Sequence, residues 1–169
     1  MAKRSTEQPS GKATLYNFLL NEVLASQLGE GYMFWVVAPY VKDFALPTSH
    51  HVSFREIVAV RHEQLQLFDV LHQIAVNGGQ VRITTGPKQE YHPALHQLAG
   101  RNPRIAIRVY PSLHAKAYVG RFGALDGSLN LTHSGLNQNV EFYDYRFDSR
   151  SIAELREKCR DLFERAVAL

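Results

Sequence analysis

Apolar positions along the chain change their period several times, and each change marks an element. Leu15, Phe18, Leu19, Val23 and Leu24 recur at helical spacing, which predicts a helix capped by Thr14 and ended at Gly29. Residues 33–41, MFWVVAPYV, form a continuous apolar and aromatic run closed by Pro39 and Lys42, the pattern of a strand covered on both faces. Residues 45–58 mix Pro47, Thr48, Ser49, His50 and His51 with scattered apolar positions and read as a loop. Helical spacing returns with Leu65, Phe68, Leu71, His72 and Ala75, and Asn77, Gly78 and Gly79 stop it before QVRITT supplies a second strand. A short helix over 91–99 leads through Gly100, Asn102 and Pro103 to RIAIRVY, residues 104–110, a third strand. HAKAYVG is a fourth, and a last helix over 150–168 carries Ile152, Leu155, Leu162, Phe163 and Val167.

This alternation of strand and helix indicates an α/β domain built on a mixed central sheet with helices on both faces. Residues 1–12 are polar and punctuated by Pro9, Ser10 and Gly11, so they read as a flexible leader to one domain over 13–169. At 169 residues and 45% hydrophobic content, the chain suffices for one full core. The single cysteine, Cys159, excludes an intramolecular disulfide and a cysteine-rich zinc site, and points to a cytoplasmic protein. No apolar run reaches the roughly 18 residues of a membrane span, and MAKRSTEQPSGKA lacks the apolar stretch of a signal peptide. A net charge of +3, with no extended block of Lys or Arg, permits a polyanionic partner without demonstrating one.

The chemistry concentrates between Ser112 and Glu141, in SLHAKAYVGRFGALDGSLNLTHSGLNQNVE. On a strand, residues two apart share a face, so His114 and Lys116 would stand roughly 7 Å apart. That pair suits one phosphate, because the imidazole attacks phosphorus while the ammonium neutralises the non-bridging oxygens. Gly127 lets backbone approach the anion, Ser128 adds a hydroxyl, and Asn130 offers an amide donor.

Together, His114, Lys116, Gly127, Ser128 and Asn130 resemble the HxK...GSxN signature of the phospholipase D superfamily, and the GLNQNVE that follows resembles its continuation to a glutamate. The resemblance is dense over about 30 residues. It implies a phospholipase D-like fold and a metal-independent phosphodiesterase without cofactor, working through a phosphohistidine. In such enzymes one histidine attacks, and the histidine of a second motif protonates the leaving oxygen and later activates water. None of the other seven histidines heads a second motif, so the resemblance implies a homodimer with His114 of each copy at a shared site. One ring must be neutral and the other protonated, a division that coupled imidazoles achieve at about pH 6 to 7. By the same resemblance Glu141 orients a histidine ring. The chain departs from the family at Arg121, where an aspartate usually stands and mainly supports the turn; Arg121 is either a further phosphate contact or an exposed turn residue.

Other polar positions have plainer readings. His92 and His96 have zinc-ligand spacing but no third ligand, and His50, His51 and His133 read as solvated surface. Trp35 and Cys159 read as core, while Tyr143 and Tyr145 suit either core or a substrate groove. The leading expectation is a nuclease acting on DNA or RNA. Its competitors are a catalytically silent nucleic-acid-binding or assembly subunit and, last, a phospholipid hydrolase, for which a membrane anchor is missing. Short bacterial relatives suggest a possible defence-system partner.

Overall fold

The computed structural model describes residues 2–5, 9–29, 31–46, 54–59 and 64–169, with His50, His51 and half of the expected 45–58 loop outside them. Its strands are β1 (Ala2–Ser5), β2 (Met33–Ala38), β3 (Gln80–Thr85), β4 (Ile105–Val109), β5 (Ala117–Val119), β6 (Ala124–Gly127), β7 (Phe142–Arg146) and β8 (Val167–Ala168). They form one sheet in the order β1-β7-β6-β5-β2-β3-β4-β8. The helices are α1 (Pro9–Ala25), α2 (Leu67–Val76), α3 (His92–Arg101), α4 (His133–Asn137) and α5 (Ser149–Arg165).

Strands β2, β3 and β4 run parallel, because α2 and α3 return the chain to the same end each time. The other pairings are antiparallel, which makes the sheet mixed as expected. Side-chain alternation along β2 divides the core in two. Phe34, Val36 and Ala38 pack with residues of α1, α2 and α3, including Leu19, Leu71 and Leu95. Trp35 and Val37 pack on the opposite face against Ile152, Cys159 and Phe163 of α5. Each large side chain so buried contributes roughly 1.5–3 kcal/mol. Burial also pushes the Cys159 thiol up to about 12, consistent with a packing role.

The N-terminal expectation fails in an instructive way. Ala2–Ser5 pair antiparallel with Tyr145–Phe142, and α1 begins at Pro9, so helix and strand occupy most of the expected 1–12 leader. Edge pairing uses backbone groups and needs no apolar pattern, and proline at a helix start lacks only an amide that would be unpaired anyway. Thr14 therefore lies inside α1. Strand β5 is also shorter than HAKAYVG: it starts at Ala117, leaving His114 and Lys116 in the segment that leads into it.

Candidate active site

Register places the motif residues together at one end of the sheet. Ala117 of β5 pairs with Val37 near the end of β2 and with Asp126 near the end of β6, so the stretch before β5 lies beside the chain leaving both. The amide of Gly127 donates to the Lys116 carbonyl at 3.3 Å. Leu131 then bridges to Val41 beyond β2, and the Lys42 amide donates to its carbonyl at 2.9 Å. His114, Lys116, Gly127, Ser128 and Asn130 are thus neighbours. His114 is exposed and Lys116 half-buried, with Lys116 Nζ donating to the His114 carbonyl at 2.8 Å.

The GSLN segment is held rigidly. Leu129 and Leu131 are buried on either side of Asn130, and Tyr118 Oη donates to the Leu129 carbonyl at 2.6 Å. Burial first, and the Glu141 charge second, push the Tyr118 phenol well above its ordinary value. Gly127 has φ +157°, and a Cβ there would sit 2.3 Å from the Phe142 carbonyl oxygen, so the residue type is dictated by β7 passing close by. Thr132 closes the loop by accepting from the Gly135 amide at 3.0 Å, which caps α4.

Glu141 is buried beside this loop. The Ser128 hydroxyl donates to Glu141 Oε2, and Asn139 Nδ2 donates to Oε1 at 3.2 Å. Ser128 Oγ also accepts from the Phe142 amide at 3.2 Å. Asn130 differs: its carboxamide oxygen is buried and has no hydrogen-bond partner among the described residues. An unpaired buried acceptor costs about 1–3 kcal/mol, which only a hydrogen-bond donor reaching the site would offset.

Arg121 is not brought to this site. It follows β5 at the opposite end of that strand, on the wall of a different cavity. The turn after β5 is held by Glu22 of α1, which sequence reasoning missed. Glu22 Oε2 accepts from the Arg121 amide at 2.9 Å, Oε1 from the Phe122 amide at 3.4 Å, and Tyr32 Oη donates to Oε2 at 2.7 Å. Asp126, the later aspartate, instead forms a two-pronged ion pair with Arg146 at 2.6 and 2.9 Å.

Sequence reasoning also missed the surroundings of His114. A cavity of about 340 Å³ borders it, walled by Pro39, Tyr40, Gly86 and Lys88 among others. Tyr40 and Tyr91 meet edge to face at 5.8 Å, with Lys42 Nζ 4.6 Å and Lys88 Nζ 5.1 Å from the Tyr91 ring centre. The signal for this group was only its aromatic and basic composition, scattered over separate loops. His92 Nε2 lies 3.2 Å from the Gly86 carbonyl, and His133 is exposed at the start of α4. Tyr143 is buried and Tyr145 packs on Phe18, so both belong to the core.

Comparison with solved structures identifies the architecture. Nuc from Salmonella typhimurium, described as a phospholipase D family member, superposes with a TM-score of 0.66 at 12% identity, over 99% of this chain and 96% of that one. NucT from Helicobacter pylori gives 0.63 at 14% identity, over 99% and 98%. TrmBL2, an archaeal chromatin protein, gives 0.58 at 12% identity, over 100% of this chain and 54% of its own. No family model and no curated protein matches the sequence. The chain therefore has the phospholipase D fold, and the chemistry must be argued from its own residues.

Proposed function

We propose that the protein is a metal-independent phosphodiesterase, a nuclease that cleaves DNA or RNA through a phosphohistidine on His114. The observation that carries this reading is the convergence of HxK and GSxN at one end of a phospholipase D sheet. An imidazole nitrogen of His114 bonds to phosphorus as the bond to the leaving oxygen breaks. His114 of a second copy gives that oxygen its proton, then takes one from water as the water attacks phosphorus and the P–N bond breaks. Lys116 neutralises the non-bridging oxygens, and Asn130, Ser128 and the Gly127 backbone hold them. Glu141 orients a histidine ring.

Two features support the dimer and the substrate. Val140 and Phe142 are 56% and 61% exposed on either side of buried Glu141, an apolar surface at the rim of the half-site of the kind a second copy covers. The Tyr40, Tyr91, Lys42 and Lys88 group beside His114 offers ring faces for bases and ammonium groups for a phosphate backbone. Purified protein is expected to cleave plasmid or single-stranded DNA in EDTA, and His114→Ala to abolish this. Cleavage that survives the substitution, or that requires a metal, refutes the assignment.

A second reading is a nucleic-acid-binding subunit without turnover. It is favoured by the likeness to TrmBL2, whose structure is described as showing a novel mode of DNA binding. Retention of DNA in gel shifts, with neither single-turnover cleavage nor a phosphohistidine trapped by mass spectrometry, would establish it.

A further inference from the structure

A second cavity, of about 690 Å³, opens on the α5 face of the sheet. Its wall includes Arg82 on β3, Arg108 on β4, Arg121 after β5, Arg156 and Arg160 on α5, and Trp35 on β2. Trp35 lies five residues before Tyr40, which borders the His114 cavity, so the two cavities are separated by roughly 15 Å along β2. The larger one occupies the opposite end of the strand from the candidate active site.

Among the described residues of this wall, five arginines face a single carboxylate, that of Glu164. Among the described residues, Arg82, Arg108, Arg121 and Arg156 have no salt bridge to any acidic side chain, and Arg160 pairs only with Glu157 on its own helix. Part of this charge is fixed in place. Arg108 Nη1 donates to the Phe163 carbonyl at 3.0 Å and stacks 4.5 Å from the Phe163 ring centre; Arg156 Nη2 donates to the Gly120 carbonyl at 2.9 Å. Burial, then the neighbouring charge of Arg108, lowers the Arg82 guanidinium below its ordinary value. Trp35 is only 4% exposed, yet its indole N–H has no hydrogen-bond partner among the described residues. Like charges gathered with so few counter-ions among the described residues are unfavourable in the empty protein, and a polyanion relieves both the repulsion and the unpaired donor.

We infer that this cavity binds a small ligand carrying two or more phosphate groups, of the size of a nucleoside triphosphate. The volume suits such a molecule, since ligand cavities span roughly 300–1,000 Å³. Planar guanidinium forks from β3, β4, the turn after β5 and a helix can grip several phosphate oxygens at once, with Trp35 supplying one further donor. This site is separate from the His114 chemistry and does not depend on it.

Trp35 is the only tryptophan, so its fluorescence reports on the cavity directly. The full chain is titrated with adenosine triphosphate, inorganic tripolyphosphate and a short single-stranded oligonucleotide. Saturable fluorescence changes are expected with the first two, in mutual competition, and equally in His114→Ala. The exposed positions Arg121→Glu and Arg160→Glu, combined, should weaken both by at least tenfold while circular dichroism stays unchanged. Undiminished binding by that double variant overturns the inference, as does failure of both small anions to saturate. Binding of the oligonucleotide alone also overturns it, because the cavity would then belong to an extended nucleic-acid track.

Discussion

Glu22 Oε2 accepts a hydrogen bond from the Arg121 backbone amide at 2.9 Å, across 99 residues of sequence. A carboxylate borrowed from α1 thus holds the turn after β5. Gly120 makes room for it, since a Cβ at that position would lie 2.0 Å from the Glu22 carboxyl. Removing the carboxylate in Glu22→Ala strands the Arg121 amide and the Tyr32 hydroxyl, each at a cost of about 1–3 kcal/mol. The expected destabilisation is about 3 kcal/mol in urea or guanidinium unfolding. Arg121→Asp added to Glu22→Ala should recover part of the loss, because the new carboxylate can accept from the same turn. Additive destabilisation by the two changes would show that the turn does not need an acid.

The same carboxylate should give the protein a pH signature. Burial raises the Glu22 pKa above its ordinary 4.5, outweighing the hydrogen bonds from Tyr32 and the Arg121, Phe122 and Gly123 amides, which lower it. An acid whose pKa is higher in the folded state takes up a proton on folding. Its contribution is therefore complete below the unfolded value and declines as pH rises through the folded one. The stability of wild type minus that of Glu22→Gln is expected to fall as pH rises above the ordinary carboxylate value of 4.5. A difference that grows instead contradicts the burial argument.

How much of this was legible in the sequence depends on what each element uses to announce itself. Strands β2, β3 and β4 and helices α2, α3 and α5 have dense apolar patterns, and their centres were read correctly. Strands β1 and β8 are held at the sheet edges by backbone pairing, and β6 and β7 are short and punctuated by Gly127 and Asp144, so composition concealed all four. The HxK and GSLN segments were visible as candidates because their residues lie close together in sequence. Glu22 was not, because only the tertiary fold brings α1 to the β5 turn. The reading of Arg121 as a phosphate contact beside His114 failed for the same reason: sequence proximity to Lys116 gave no hint that β5 carries it to the far end of the sheet.

Gly127 offers a test of how tightly the candidate site is positioned. Alanine there would place its Cβ 2.3 Å from the Phe142 carbonyl oxygen and 2.7 Å from the Tyr143 Cα, both backbone atoms of β7. The GSLN loop must then move relative to Lys116. Because small displacements of positioning groups cost on the order of a hundredfold, Gly127→Ala is expected to lower kcat by about that factor while the helices persist by circular dichroism. Near-normal turnover would mean that Ser128 and Asn130 do not hold the reacting phosphate.

Lys116 should separate catalysis from folding. It is half-buried, and its ammonium donates to the backbone carbonyl of His114, a contact that solvent can replace. Lys116→Ala is expected to reduce kcat/KM by about 10²–10³-fold, the usual effect of removing one group that stabilises transition-state charge, with a stability change below about 1 kcal/mol. Activity measured alongside a thermal melt decides it. A large loss of stability with proportionate loss of activity would make Lys116 a structural residue.

The shared-site reading makes a quantitative statement about mixtures. If each catalytic centre needs the His114 of two copies, a dimer containing one wild-type chain and one His114→Ala chain lacks either the nucleophile or the proton donor. Random reassociation of equal amounts then leaves about one quarter of the dimers intact, by the statistics of a two-fold assembly. Co-refolded equimolar mixtures should therefore show about a quarter of the activity of the same total amount of wild-type chain, and the dependence on wild-type fraction should be quadratic. A linear dependence means that each chain works alone. In that case a proton donor must be sought within the chain, and His133, exposed at the start of α4 just beyond GSLN, becomes the first residue to replace.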